Sequence, residues 1–240
     1  MPIIFDGVTF NGGYEIQPVG PPTTIGEPYD GGFYAGKFNI NADGSGIPTH
    51  YLIVSPKATG EAFIPWSLTN TLYGALSSSD GQSNTNIIVT TSTPIDTPAA
   101  WFCGVTCNEN GGLGGYTDWY MPSAYELDTI YYFLKPSTTA NFNHPVGSNP
   151  CAVYPQPINT NYTAGDPAQT TAAAFRTTGD QFFITADYTK SFYASSTEIS
   201  SEWIRTTQFI AGIAQGGSKV YLGTPDPHSI RAIRRIQIPT

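Results

Sequence analysis

The stretch "GGYTDWYMPSAYELDTIYYFLKP", from Gly114 to Pro136, restricts the fold of this chain more than any other. Ser123 is followed three residues later by Glu126. In that pattern the hydroxyl accepts from the N3 amide and the carboxylate returns to the N-cap amide. Leu127, Ile130, Tyr131 and Leu134 recur at helical spacing and form one apolar stripe. Pro136 pushes the residue before it out of the α region and ends the run. The spacing therefore predicts a helix over Ala124 to Leu134, with Ser123 and Glu126 as structural residues. "GGYTDWY" must bend sharply to reach it, and Trp119 and Tyr120 are expected to plug the core beside it.

Most of the remaining signals are strands and turns. "PIIFDGVTF" reads as two short strands joined at Asp6-Gly7, followed by the extended "QPVGPPTTIGEP". Together they suggest an arm over residues 1–28, ahead of a domain over 29–240. "GGFYAGKF" and "THYLIV" predict a hairpin across the turn-forming "NADGSG". "DTPAAWFCGVTC" predicts a short helix capped by Asp96, with Ala99, Phe102, Cys103 and Thr106 on one face. Weaker helical potential lies at Asn84 to Val89 and in "AQTTAAAF". Between the long helix and the last strands runs "STTANFNHPVGSNPCAVYPQPINTNYTAGDP", an irregular region of a length that is often functional. "DQFFITA", "SFYASST", "EWIRTTQFI", "SKVYLG" and "SIRAIRRIQI" read as strands. In the last, Ile230, Ala232, Arg234 and Ile236 share a face, and an Arg there calls for a carboxylate. Glu126 and Glu198 are the expected partners of Arg234.

Composition narrows the class of function. Charged residues are 12% of the 240, about half the usual share, so the exterior must be built from Ser, Thr, Asn, Gln, Gly and Tyr. Such surfaces suit particle-bound or extracellular proteins and loop-based recognition. A net charge of −8 argues against a nucleic-acid partner. No apolar run is long enough to insert in a membrane, and "MPIIFDGVTFNGGYEI" does not read as a secretory leader. Cys103, Cys107 and Cys151 are an odd set and are expected to be free thiols, as suits assembly in a reducing cytoplasm.

Reactive constellations are not legible. His50, His144 and His228 stand apart, and neither zinc spacing, nor a Gly-x-Ser-x-Gly elbow, nor a P-loop occurs. Asp166, Asp180 and Asp187 read as turn formers rather than glycosidase carboxylates. "NYT" at Asn161 reads as a polar loop rather than a glycosylated site. Neither a cofactor nor a metal is expected.

In order, "GGFYAGKF…THYLIVSPKATGE", "SSSDGQSNT", "GGYTDWYMPSAYELDTIYYFLKP", "FYASSTE…EW" and "SIRAIRRI" resemble the Lcl-type C-terminal domain family. The resemblance runs from about Tyr29 to Ile236. It implies an α+β, C-type-lectin-like fold: small twisted antiparallel sheets, two principal helices and a long loop region. The calcium-binding triplets of sugar-binding C-type lectins are missing, and "NEN" at Asn108 to Asn110 is a weak substitute.

Members of that family occur in phage virions and as bacterial adhesins. The resemblance thus implies a non-enzymatic virion structural protein, a tail-fibre or appendage component for receptor recognition. It would form a homo-oligomer, dock to other virion proteins through the arm and bind a host surface glycan or protein. The alternatives are a capsid decoration or joining protein without a receptor, a bacterial surface adhesin, or an enzyme on the same scaffold. Tyr154, Tyr162, Trp203, Arg205 and Gln208 are the candidate ligand-binding residues, because Tyr and Trp give large stacking area at low entropic cost. Trp119, Ser123, Glu126, Glu198 and Arg234 are the candidate structural ones.

Overall fold

A computed structural model describes residues 22–142, 149–158 and 160–239, and the backbone of two short strands before them. Strands β1 (Ile3–Phe5) and β2 (Val8–Phe10) pair as the expected antiparallel hairpin. The rest of residues 1–21 lies outside the described residues, as does His144. Residues 22–28 already belong to the body. The Gly26 amide donates to Tyr34 O at 2.7 Å, and Ile25 packs against the core.

The elements then follow as β3 (Pro28–Tyr29), β4 (Gly32–Phe38), β5 (His50–Val54), a one-turn helix α1 (Lys57–Gly60) and β6 (Glu61–Pro65). Helices α2 (Gly81–Thr91), α3 (Pro98–Gly104) and α4 (Ala124–Leu134) come next. After the long irregular region come β7 (Phe192–Glu198), β8 (Trp203–Gln208), β9 (Ile213–Ser218), β10 (Val220–Tyr221), β11 (Thr224–Pro225), β12 (Pro227–Arg231) and β13 (Ile233–Gln237). The fold is mixed α+β. One sheet has the order β13-β5-β4-β3 and is antiparallel throughout. The other has the order β6-β12-β7-β8-β9, antiparallel except where β12 runs parallel to β7 at Ser229 and Tyr193.

The strand period of two divides the core. On β5, Tyr51 and Ile53 join Trp66, Ile88, Ala99, Cys103 and Trp119 on the side of α2 and α3. Leu52 and Val54 point the other way, joining Leu127, Ile130, Tyr131, Phe183 and Phe209 on the side of α4. β5 is thus buried on both faces, which explains its unbroken apolar centre. β4 carries an irregularity between Tyr34 and Lys37, and Gly36 there has φ +113°. The Phe133 ring of α4 lies 2.4 Å from where a Cβ would sit, so only glycine fits.

Helix α4 has the predicted bounds and cap. Ser123 Oγ accepts from the Glu126 amide at 3.4 Å, and Glu126 Oε2 accepts from the Ser123 amide at 2.8 Å. Glu126 also accepts from the Gly81 amide at 3.1 Å and the Tyr120 hydroxyl at 2.7 Å, which ties α4 to α2. Trp119 is buried, and its Nε1 donates to Leu113 O at 3.0 Å, closing the corner before the helix. The irregular region is pinned onto α4. Asp128 accepts from Asn149, Gln156 and Tyr162, and Asn141 accepts from Tyr131.

Several expectations are corrected. Arg234 pairs with neither Glu126 nor Glu198: its Nε donates to Asp118 Oδ1 at 2.7 Å, and Asp30 lies 3.6 Å away. Glu126 instead faces Arg235 at 3.8 Å, and buried Glu198 takes buried Lys219 plus the amides of Tyr73, Gly74 and Ala75. The side chain of one residue next to Arg234, not Arg234 itself, reaches the helix cap. "SIRAIRRIQI" is two strands, because Ala232 leaves the first sheet to bond Gly60 O and Ser55 N in passing to the second. "DQFFITA" is irregular, since Phe183 is used as a core plug stacked 4.1 Å from Phe209 and Gln181 bonds Arg231 and Lys57. Thr97, not Asp96, occupies the N-cap of α3, while Asp96 accepts from Thr93. Thr106 is exposed, because α3 ends at Gly104 and the chain continues as a tighter turn.

Candidate functional site

A groove of about 310 Å³ lies over the outer strands of the five-stranded sheet, beside the β10–β11 hairpin. Its floor is Thr206 of β8 with Gln215, Gly216 and Gly217 of β9. A Cβ on Gly217 would meet Thr206 Cγ2 at 2.5 Å and His228 Cε1 at 3.0 Å, so glycine keeps this floor low. Aromatic rings form the walls: Tyr188 and Phe192 on one side, Trp203 and Tyr221 on the others.

Local structure sets each ring. Tyr188 and Phe192 pack edge to face at 5.3 Å, across the short turn that Ser191 closes by bonding Tyr188 O. Trp203 opens β8 directly after a turn in which Ser200 Oγ accepts from the amides of Glu202 and Trp203, both at 3.2 Å. β10 and β11 are joined by Leu222 and Gly223, with φ of 49° and 80°. That pair of positive φ angles is the tight hairpin turn whose twist matches the flanking strands, and it lifts Tyr221 into solvent.

The polar groups cluster at one end. Ser218 Oγ donates to Asp226 Oδ2, and the Asp226 amide donates to Lys219 O at 3.0 Å. His228 Nε2 lies 2.9 Å from Ser218 O, which fixes the proton on that nitrogen, and 3.9 Å from Asp226 Oδ2. Asp226 Oδ1 and the Gln215 side-chain amide make no hydrogen bond with the described residues. Among the described residues, Asp226 is the only carboxylate lining the groove, and neither Lys nor Arg lines it. Nor do the described residues hold three or more His, Cys, Asp or Glu side chains placed to share a metal ion.

The five sequence candidates do not converge. Trp203 alone lines this groove. Tyr154 is 87% exposed and lines a separate groove of about 460 Å³ with Tyr132, Phe133, Lys37 and Asp166. Tyr162 is an internal brace, donating to Asp128 Oδ1 at 2.8 Å. Arg205 borders a small cavity of about 120 Å³ with Tyr125, Asp128 and Ser195. Gln208 is buried at the end of β8, opposite Phe192 and Ile213. Tyr188, Gln215, Tyr221, Asp226 and His228 escaped sequence reasoning. The usable signal was Gly223 in "YLGT", a turn residue, whereas Leu222 at positive φ gives no turn signal of its own.

No family model matches this chain, and neither a curated protein nor a solved structure is significantly similar to it. The site is therefore read from its own chemistry.

Proposed function

We propose that this chain is a non-enzymatic recognition component of a phage particle, carried on a tail fibre or appendage, with the aromatic groove as its receptor contact. One observation carries the reading. Tyr188, Trp203 and Tyr221 are 70%, 44% and 62% exposed around one concavity, where folding alone gains nothing by leaving them in water. Rigid aromatic walls beside a few polar groups with no internal partner are the make-up of a ligand site.

Binding is favoured over turnover. Glycoside hydrolysis needs two opposed carboxylates, whereas the groove presents Asp226 alone. The C-type-lectin-like scaffold is part of the proposal. It is supported by the pairing of the C-terminal β13 with β5, by two 11-residue helices in α2 and α4, and by the long region pinned to α4. The arm ahead of residue 22 would dock to other virion proteins, and several copies would raise avidity for a repetitive host surface.

The test is competition. Purified chain in excess should block adsorption of the parent phage to its host, and antibody to the chain should label the particle at an appendage. Unchanged adsorption in the presence of saturating chain, with label spread over the capsid, would make it a decoration protein instead.

A further inference from the structure

We infer that the groove between Trp203 and Asp226 takes a neutral sugar without a metal ion, and that it rejects acidic ones. This rests on the recognition reading above and names the ligand class of the same site. A pyranose has a flat face of C–H groups and an edge of hydroxyls. The first suits an exposed indole such as Trp203, flanked here by Tyr188 and Tyr221. The second suits Asp226 Oδ1 and the Gln215 amide, an acceptor and a donor–acceptor group that the protein itself leaves unused. A cavity of about 310 Å³ is the size of one to two sugar rings on the scale of small-ligand pockets.

The charge pattern supplies the selectivity. Among the described residues neither Lys nor Arg lines the groove, and the basic side chain beside Asp226 is His228, whose Nε2 lies 3.9 Å from Oδ2. Lys219 is held in a buried pair with Glu198, while Lys190 is half-exposed at 3.7 Å from Asp187 and outside the lining. A uronate, sialate or phosphate would meet the Asp226 carboxylate at close range, and like charges so placed repel. The hydroxyls of neutral sugars instead make charge-assisted hydrogen bonds to it. Aromatic rings beside a carboxylate also suit a quaternary ammonium group, so the preference for a polyol rests on Gln215, which can both donate to and accept from hydroxyls, and phosphocholine is the competing probe.

The experiment titrates the intact chain with maltotriose, cellotriose and chitotriose, with trigalacturonate and sialyllactose as acidic probes and phosphocholine as the ammonium probe. Tryptophan fluorescence and calorimetry, with chelator present, give the readout. At least one neutral trisaccharide should bind at millimolar concentration and the acidic probes should not. Trp203→Ala should weaken that binding about tenfold, the factor one aromatic stack supplies, while Trp203→Phe retains most of it. Asp226→Asn, which can still accept from Ser218, should weaken neutral binding and narrow the gap to the acidic probes. An unchanged melting temperature shows that each variant folds.

Binding of an acidic probe as tight as that of the neutral sugars, binding of phosphocholine alone, or binding of none of the probes would overturn the inference. If the chain still attaches to host cells through Trp203, the recognition reading survives that loss. If neutral sugars bind but phage lacking the chain adsorb normally, the recognition reading falls and the sugar site stands.

Discussion

Arg234 and Asp118 form a two-point ion pair, Nε to Oδ1 at 2.7 Å and Nη2 to Oδ2 at 3.1 Å, that joins the last strand to the corner before α4. The guanidinium also lies 3.8 Å from the Tyr116 ring centre and donates to Asp30 O at 3.0 Å. Arg234→Met should cost about 2 kcal/mol in chemical denaturation, below the full figure for a buried pair because Asp118 is partly exposed. Arg234→Lys should restore little of it, since a point charge cannot reproduce the fork. An unchanged midpoint for the Met variant would remove the pair from the list of structural contacts.

Ser123→Ala should cost about 1 kcal/mol, the usual value of an N-cap hydroxyl. Glu126→Ala should cost more, roughly 2–4 kcal/mol, because it orphans the buried Ser123 and Gly81 amides and the Tyr120 hydroxyl together. The two losses should be non-additive in a double-mutant cycle, as both belong to one cap.

Burial raises the Asp128 carboxyl from its ordinary 3.8 to about 6, against the opposing donation of Tyr162 and Asn149. The folded state therefore holds this proton where the unfolded chain has released it. Its contribution is complete below pH 4 and is lost as pH rises through about 6. Glu126, raised by the same cause, acts in the same direction. Asp128→Asn should flatten the fall in stability between pH 4 and 7, measured as melting temperature against pH. A wild-type curve that rises over that window would contradict the assignment.

Cys103, Cys107 and Cys151 are free and buried, and burial pushes their thiols up, Cys107 to about 12. A thiolate-specific reagent should modify none of them in the native chain and all three in denaturant. Fast native labelling of any one would show that its site opens.

Much of the scaffold was legible in the sequence, because its signals are local. Ser123, Glu126 and Pro136 specify α4 within fourteen residues, and the β4–β5 hairpin is written in two apolar runs around one turn. Pairings across long separations were not legible. Asp118 and Asp30 reach Arg234 over 116 and 204 positions, a choice set by sheet registry that no periodicity encodes. The groove failed for the same reason: Tyr188, Trp203, Tyr221 and Asp226 sit on four separate segments, and each alone reads as a turn or edge residue. Tyr162 and Gln208 show the converse error, since residue type suggested a free surface and packing ties Tyr162 to Asp128, partly buried, and buries Gln208.

The central claim, that the Trp203 groove meets the host, is tested most directly by the adsorption rate of phage carrying Trp203→Ala. The account predicts particles with a normal content of this chain that adsorb at least about tenfold more slowly, the factor that follows from losing one central aromatic contact. Mutant particles that adsorb at the parental rate would contradict it.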